Sequence, residues 1–291
     1  MEPLRAVVSE EDHGRLIKYY LRSTFGISYG TFSKLKYTNE IRVNGVQVRA
    51  NYVLQAGDCI EADLPDEGNR AVIEEKLPVS FAYRDDDLMI IDKPAPLACQ
   101  CSEKQPVGTL ENRLASFFSS DRGYVYHPVN RLDKGTSGLM AAGMHAYSTA
   151  LMQKQLHSGT FYRDYLAIVE GLIQGDGCID MPIAKAEGAT IRRIVAANGK
   201  PARTHYRAIM HGGGRTLLRL QLETGRTHQI RVHLSAIGHP VAGDFLYGSE
   251  LQSLPGRFAL HSHRIVLSQP RTGARIECVS PLPQELYRLL E

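Results

Sequence analysis

No stretch of this 291-residue chain is apolar for long enough to read as a membrane span, and its first residues are charged and mixed. Neither a signal peptide nor a transmembrane helix is therefore expected, and the chain reads as soluble and cytosolic. Cysteine is sparse: Cys59, Cys99, Cys101, Cys178 and Cys278 are odd in number and mostly scattered, which suits a reducing compartment. Cys99 and Cys101 form the one close pair, with no second Cys/His pair nearby, so no zinc site is expected. Phosphate-binding and dinucleotide fingerprints are missing, so no nucleotide cofactor is expected. Charge is nearly balanced, at +3, so affinity for nucleic acid cannot be read from the total.

A chain of this length with 43% hydrophobic residues buries a substantial core and is expected to hold one or two domains. Residues 15–25 place Leu16, Ile17, Tyr20 and Leu21 at helical spacing. Ser28 is a candidate N-cap for a second short helix containing Phe32 and Leu35. Ile41–Val48 alternates about Asn44-Gly45, a two-residue hairpin signal, and Leu54–Asp58 is expected to close the unit as a strand. From Gly14 to Gly57 seven basic residues (Arg15, Lys18, Arg22, Lys34, Lys36, Arg42, Arg49) face one acid, Glu40. That local +6 leaves −3 for the rest, and suggests contacts to an RNA backbone, with an ordinary solvated surface as the plain alternative. The polar run at 65–76 reads as a linker.

Beyond it, Leu88–Ile91 reads as a strand ending in Asp92-Lys-Pro94, and Gly108–Phe118 as an amphipathic helix. Leu139–Met144, Phe161–Val169 and Lys200–Tyr206 read as strands, and Ala146–Leu156 as a helix stopped by Gly159. In the string Leu222–Asp244, Thr227 is expected to cap a helix, Gly238 to end it, and Ile230, Leu234 and Ile237 to form its apolar stripe. Arg231 then lies in the first turn, where a cation does not serve the helix dipole, so a carboxylate partner is expected. His228 and His233 are five apart, not the four that suits a helical metal pair.

The chain is organised around His127-Pro-Val-Asn-Arg-Leu-Asp-Lys-Gly-Thr-Ser-Gly-Leu-Met140. Side chains two apart on an extended segment share a face, so Arg131 and Asp133 point the same way. A carboxylate beside a guanidinium stays ionised and serves as nucleophile or base, although an isolated Arg-x-Asp is usually a salt-bridged strand end.

Arg131-Leu-Asp-x-x-Thr-Ser-Gly-Leu139 resembles the catalytic signature of the RluA-type pseudouridine synthases. Arg163-Asp-Tyr-Leu-Ala167 resembles the family's Lys-x-Tyr-x-Ala motif, with Arg for Lys, and Gly225-Arg-Thr-His-Gln-Ile-Arg231 its Gly-Arg-Thr-His-Gln-Ile-Arg motif. Lys200–Tyr206, Leu260–His263 and Pro270–Gly273 also resemble family positions, the last two as parts of the closing sheet. The resemblance implies an α+β pseudouridine synthase fold with a mixed, largely antiparallel central sheet and flanking helices over residues 77–291. It implies Asp133 as catalytic aspartate, Arg231 as its partner, Tyr165 stacked on the target base, Arg131 handling the flipped nucleotide, and no metal or cofactor. Residues 1–64 resemble the S-four-like RNA-binding module, a small α/β unit in which Arg15, Lys18, Lys34, Lys36 and Arg42 would meet RNA. The expected partner is RNA, ribosomal or transfer, without membrane, and the protein is expected to be a monomer. Three residues depart from the family: Asn130 replaces a His, Gly135 an acid, and Ala98–Cys101 stands where a His-Pro pair is common. An inactive RNA-binding or ribosome-assembly factor on the same fold, and an unrelated carboxylate hydrolase, are the competing readings. No second catalytic carboxylate with a motif of its own supports the hydrolase.

Overall fold

The computed structural model describes residues 3–25, 27, 32–33, 35, 41–63, 77–120, 124–189 and 191–291. The first segment builds a four-stranded sheet from β1 (Leu4–Val7), β2 (Ile41–Val43), β3 (Val46–Gln47) and β4 (Cys59–Ala62), in the order β1-β4-β2-β3. Asn44 and Gly45 both have positive φ, 52° and 78°, the left-handed pair that a two-residue turn between twisted strands demands. Leu54–Asp58 does not form the closing strand. Asp58 instead accepts hydrogen bonds from the Gln55 N–H and Asn44 Nδ2, both at 2.9 Å, which folds this stretch into a turn and leaves closure to β4.

Helix α1 (Ile17–Thr24) lays Ile17, Tyr20 and Leu21 on this sheet. Ile41, Leu54 and Ile60 complete the small core, together with Tyr147 from much later in the chain. The Ser28 cap, Lys34, Lys36 and the 65–76 linker lie outside the described residues.

The second sheet has ten strands. They are β5 (Ser80–Arg84), β6 (Leu88–Lys93), β7 (His127–Pro128), β8 (Ser137–Gly143), β9 (Tyr162–Glu170), β10 (Asp176–Asp180), β13 (Arg203–Gly212), β14 (Arg215–Leu222), β15 (Leu260–Ser268) and β16 (Arg275–Val279). A separate pair, β11 (Ile183–Lys185) and β12 (Arg193–Val195), forms a small ribbon beside it. The main order is β10-β13-β14-β9-β15-β8-β6-β5, with β16 on β15 and β7 on β8. All of these pairings are antiparallel except β8 with β15. The expected α+β fold with a mixed, largely antiparallel sheet is therefore present.

Around it pack α2 (Leu110–Phe117), α3 (Ala146–Ser158), α4 (Gln229–Ala236) and the short α5 (Gln284–Tyr287). Thr109 caps α2 reciprocally with Asn112, and α3 ends at Gly159 as its sequence predicts. Two boundaries differ from expectation. Pro201 has no N–H for a ladder, so β13 begins at Arg203, while the Lys200 N–H donates to the Ile183 carbonyl at 2.9 Å. Pro270–Gly273 is a turn and not a strand, organised by Gln269 Oε1, which accepts from the N–H groups of Arg271 and Thr272 at 2.6 and 2.7 Å. Among the described residues no helix is long and apolar enough to cross a membrane.

Register places the site. Lys93 pairs with Gly138, Gly138 with Ser262, Ser262 with Tyr165, and Tyr165 with Leu220, one row across five strands. Directly opposed residues share a sheet face, so Lys93 and Tyr165 lie on the same side. Gly138 sits where β8 meets β15, at φ 99°, and a Cβ there would lie 2.3 Å from the Ser262 carbonyl oxygen. Only glycine permits this close parallel pairing, which starts β8 just past the Asp133 loop.

At the far side, buried Asp87 ties three segments together. It contacts His145 Nε2 at the start of α3 at 3.1 Å, and accepts from Gln269 Nε2 at 2.8 Å and Arg271 Nη2 at 3.0 Å. Burial works to raise its pKa, but the bonds from His145, Arg271 and Gln269 outweigh it and hold the carboxyl far below the ordinary range. Asp87→Ala should cost on the order of 3–5 kcal/mol at neutral pH, because it removes a buried carboxylate to which His145, Gln269 and Arg271 are all bonded. Because the folded-state pKa is the depressed one, this contribution is complete above a pH of about 4 and is lost on further acidification. Urea unfolding of wild type and variant at several pH values checks this, and a stability gap that stays constant down to acid pH contradicts it.

Candidate active site

The loop between β7 and β8 carries the signature. Its backbone closes on itself through the Thr136 N–H, which donates to the Asp133 carbonyl at 3.0 Å. Leu132 is buried, whereas Arg131 is exposed and the Asp133 side chain is 27% exposed, so both charged residues face outward as their spacing predicts. They are not an ion pair, however: Arg131 Nη1 donates to Gln100 Oε1 at 3.3 Å.

Neighbouring side chains hold this loop by its backbone. Cys99 Sγ donates to the Leu132 carbonyl at 3.1 Å and accepts the Leu132 N–H at 3.4 Å, one residue before the aspartate. That gives the 98–101 loop a role its sequence does not reveal. The fully buried Lys93 ammonium donates to the carbonyls of Leu97 (2.7 Å) and Pro94 (3.0 Å), and reaches that of Lys134 at 3.5 Å. Burial pushes its pKa down to about 8, with Cys99 and Asp133 opposing, so at neutral pH most of the charge remains beside Asp133.

The family departures also have structural roles here. Asn130 is buried and its Oδ1 accepts the Ala141 N–H at 2.9 Å, pinning the loop to β8 where a titrating group is not needed. Gly135 leaves room for the Phe258 ring, which a Cβ would meet at 2.7 Å. Phe258 in turn lies 4.1 Å from the Arg231 guanidinium, so an acid at 135 would displace the ring that packs on that cation.

Helix α4 supplies Arg231 from its first turn, and the expected carboxylate partner is there. Arg231 Nη1 donates to Asp133 Oδ2 at 2.9 Å. Its other edge donates to both oxygens of Asp244, from Nε at 2.7 Å and Nη2 at 2.9 Å. Arg231 is 3% exposed and Asp244 fully buried. Burial alone would lower the guanidinium's pKa, but Asp244 and Asp133 outweigh it and raise it, which fixes the cation. Asp244 Oδ1 also accepts the N–H groups of Leu246 and Tyr247 at 3.0 and 3.1 Å.

The helix begins one residue later than expected. His228, not Thr227, occupies the N-cap, in the left-handed region at φ 58° and without a side-chain cap bond. A non-glycine residue held there costs on the order of 1–3 kcal/mol, and such strain clusters at functional sites. The helix end is as expected, with Gly238 at φ 85° following Ile237.

Sequence reasoning thus pairs Asp133 with Arg231 correctly and misses Asp244, His228, Tyr247, Lys93 and Cys99. The signal for Asp244 and Lys93 is present as Gly243-Asp244 and Lys93-Pro94, polar residues inside otherwise apolar strings. Tyr165 is 5% exposed on β9, in the row that leads through Ser262 and Gly138 to the signature loop.

The basic residues of the first sheet are more balanced than their local count suggests. Over residues 1–64 eight basic residues meet eight acids. Arg15 pairs with Asp12, and Arg42 with Asp63 at 2.7 Å, while Lys18 lies over the Tyr19 ring. Among the described residues no group of three His, Cys, Asp or Glu side chains could hold a metal ion.

These elements converge on one partly open carboxylate. A family model described as RNA pseudouridylate synthase matches residues 87–236. The chain is 34% identical to the uncharacterized RNA pseudouridine synthase YjbO of Bacillus subtilis, over 91% of this chain and 95% of that one. It is 35% identical to the ribosomal large subunit pseudouridine synthase D of Haemophilus ducreyi, over 86% and 82%. The solved structure of human RNA pseudouridylate synthase domain containing 1 superposes with a TM-score of 0.59 at 26% identity, covering 70% of this chain and 83% of that one. The chain belongs to the RluA-type RNA pseudouridine synthase family, and isomerises uridine in RNA to pseudouridine.

Arg231→Ala should cost on the order of 3–5 kcal/mol, chiefly because Asp244 is then left buried without its cation. Removing Asp244 as well, in Arg231→Ala/Asp244→Ala, should recover part of that loss. Urea unfolding of the single and double variants measures the coupling. Strictly additive losses would show that the two side chains do not act as a pair.

Proposed function

We propose that Asp133 carries the isomerisation, that Arg231 holds its charge, that Tyr165 stacks on the target base and that Arg131 contacts the displaced nucleotide. Uridine becomes pseudouridine when the bond from ribose to ring nitrogen one breaks and the sugar rejoins at ring carbon five. The base must leave its stack before any side chain reaches it. The observation that carries this reading is the Asp133 carboxylate, partly open to solvent and gripped on Oδ2 by a buried, doubly paired arginine. A carboxylate held in that way is fixed in place within reach of a flipped nucleotide.

Relatives named as ribosomal large subunit pseudouridine synthases favour large-subunit ribosomal RNA as substrate, which in a bacterium puts the enzyme in the cytoplasm. Residues 1–64 act as an S-four-like RNA-binding domain joined through 65–76 to a catalytic domain at 77–291, and the protein works as a monomer. The separate sheet of the first residues, with its own hairpin at Asn44-Gly45, supports that division.

Asp133→Asn should abolish tritium release from carbon-five-labelled uridine while leaving RNA affinity and thermal stability within the ordinary range of surface variants. Large-subunit ribosomal RNA should release label and transfer RNA should not. Turnover by the Asn variant would end the assignment, and release from transfer RNA alone would move the substrate.

For the first domain, Lys18 and the exposed Arg49 are better placed for phosphate than the paired Arg15 and Arg42. Lys18→Ala and Arg49→Ala should each lower the slope of log affinity against log salt by about 1, whatever the RNA sequence. An unchanged slope would show that this face is merely solvated.

A further inference from the structure

His228 has no part in the reading above, yet its position is unusual. At the N-cap of α4 its side chain makes no cap bond to the helix. The ring turns instead towards Asp133, with Nε2 3.9 Å from Oδ2, while Nδ1 lies 2.8 Å from the Tyr247 hydroxyl. That hydroxyl accepts the Arg193 N–H at 2.9 Å. A phenol that accepts from Arg193 still has its own proton, and His228 Nδ1 is the acceptor in reach. In a neutral imidazole whose Nδ1 accepts, Nε2 carries the proton.

We propose that His228 is a positioning residue for Asp133. Tyr247 fixes the ring in its Nε2–H tautomer, and that N–H converges with Arg231 on Oδ2, so that Oδ1 alone is presented to the substrate. Among the described residues Oδ1 has no hydrogen-bond partner, whereas both donors address Oδ2. A closure of about 1 Å brings Nε2 into hydrogen-bond range, and contacts of this kind are commonly long before substrate binds.

The groups facing the ring agree with a neutral state. Burial lowers its pKa most, Asp133 from the signature loop opposes this, Arg231 on the same helix and Arg193 on β12 lower it further, and Asp244 opposes. Burial, with smaller contributions from its neighbours, raises the pKa of Tyr247, which keeps its proton. The inference rests on Asp133 being the reacting carboxylate.

Two measurements on the full-length protein test it. In a long-range proton–nitrogen correlation spectrum at neutral pH without RNA, the His228 signal, assigned by its loss in His228→Asn, should show the proton on Nε2. A proton on Nδ1 overturns the proposal. In single-turnover tritium release, Tyr247→Phe keeps the ring beside Arg231 but removes the donor. The rate should fall about tenfold to a hundredfold, the worth of one hydrogen bond to a charged group, with RNA affinity unchanged.

The acid limb of the rate profile should also move to higher pH, because losing a donor to the neutral form raises the His228 pKa. His228→Asn, an amide that tolerates the left-handed backbone, should lose as much, and His228→Gln, whose longer amide reaches towards Oδ2, should recover part. Rates within twofold of wild type for both Tyr247→Phe and His228→Asn, or a reduced rate with an unmoved limb, overturn the proposal. Asp133→Asn is run alongside. If that variant turns over, the assignment of Asp133 fails, while the tautomer spectrum still decides the state of His228.

Discussion

The molecule depends on one guanidinium shared by two carboxylates. Removing Arg231 and Asp244 from water is costly, and the attraction between them repays that cost only when every donor and lone pair is used. Here each guanidinium nitrogen donates to a carboxylate, Nε and Nη2 to Asp244 and Nη1 to Asp133, and Asp244 accepts two backbone N–H groups besides. Phe258, Tyr247 and Phe245 surround the cation with ring faces or edges, at 4.1, 5.0 and 6.0 Å. The arrangement is asymmetric in burial. Asp244 is sealed and serves as counter-ion, which leaves the second half of the guanidinium to hold the open Asp133.

The Asp133 carboxylate sits on a loop, and loops drift unless their backbone is tied. This one is tied by Cys99 at Leu132, by Lys93 at the Lys134 carbonyl and by Asn130 to β8. Its downstream end is anchored by Ser137, whose hydroxyl contacts His261 Nδ1 at 2.9 Å and accepts from Arg257 Nη2 at 3.0 Å. Glu285 on α5 pairs with Arg257, so the last helix contributes to the placement of the signature. A displacement of about 1 Å at a reacting group can cost a hundredfold in rate, so the convergence of polar bonds on this loop fits the role proposed for Asp133.

The first sheet is joined to the second by packing as well as by the chain. Tyr147 and Leu151 from α3 enter its small core, and α3 begins at the His145–Asp87 contact. Helix α1 and the first sheet are therefore mechanically linked to the second sheet, and their orientation is not left to residues 65–76 alone.

Much of this was legible in the residue order, because local physics decides it. The hairpin at Asn44-Gly45, the reciprocal cap of α2, the stops at Gly159 and Gly238, and the alternation of β9 all follow from backbone preferences within a few positions. The partnership of Asp133 and Arg231 was legible too, since a cation in the first turn of a helix needs a reason from outside the helix. The sequence alone did not reveal which of two carboxylates is sealed, that Cys99 grips Leu132, or that His228 departs from the helical backbone. Those depend on groups between about 13 and 98 residues apart meeting where water is excluded, which spacing along the chain does not report.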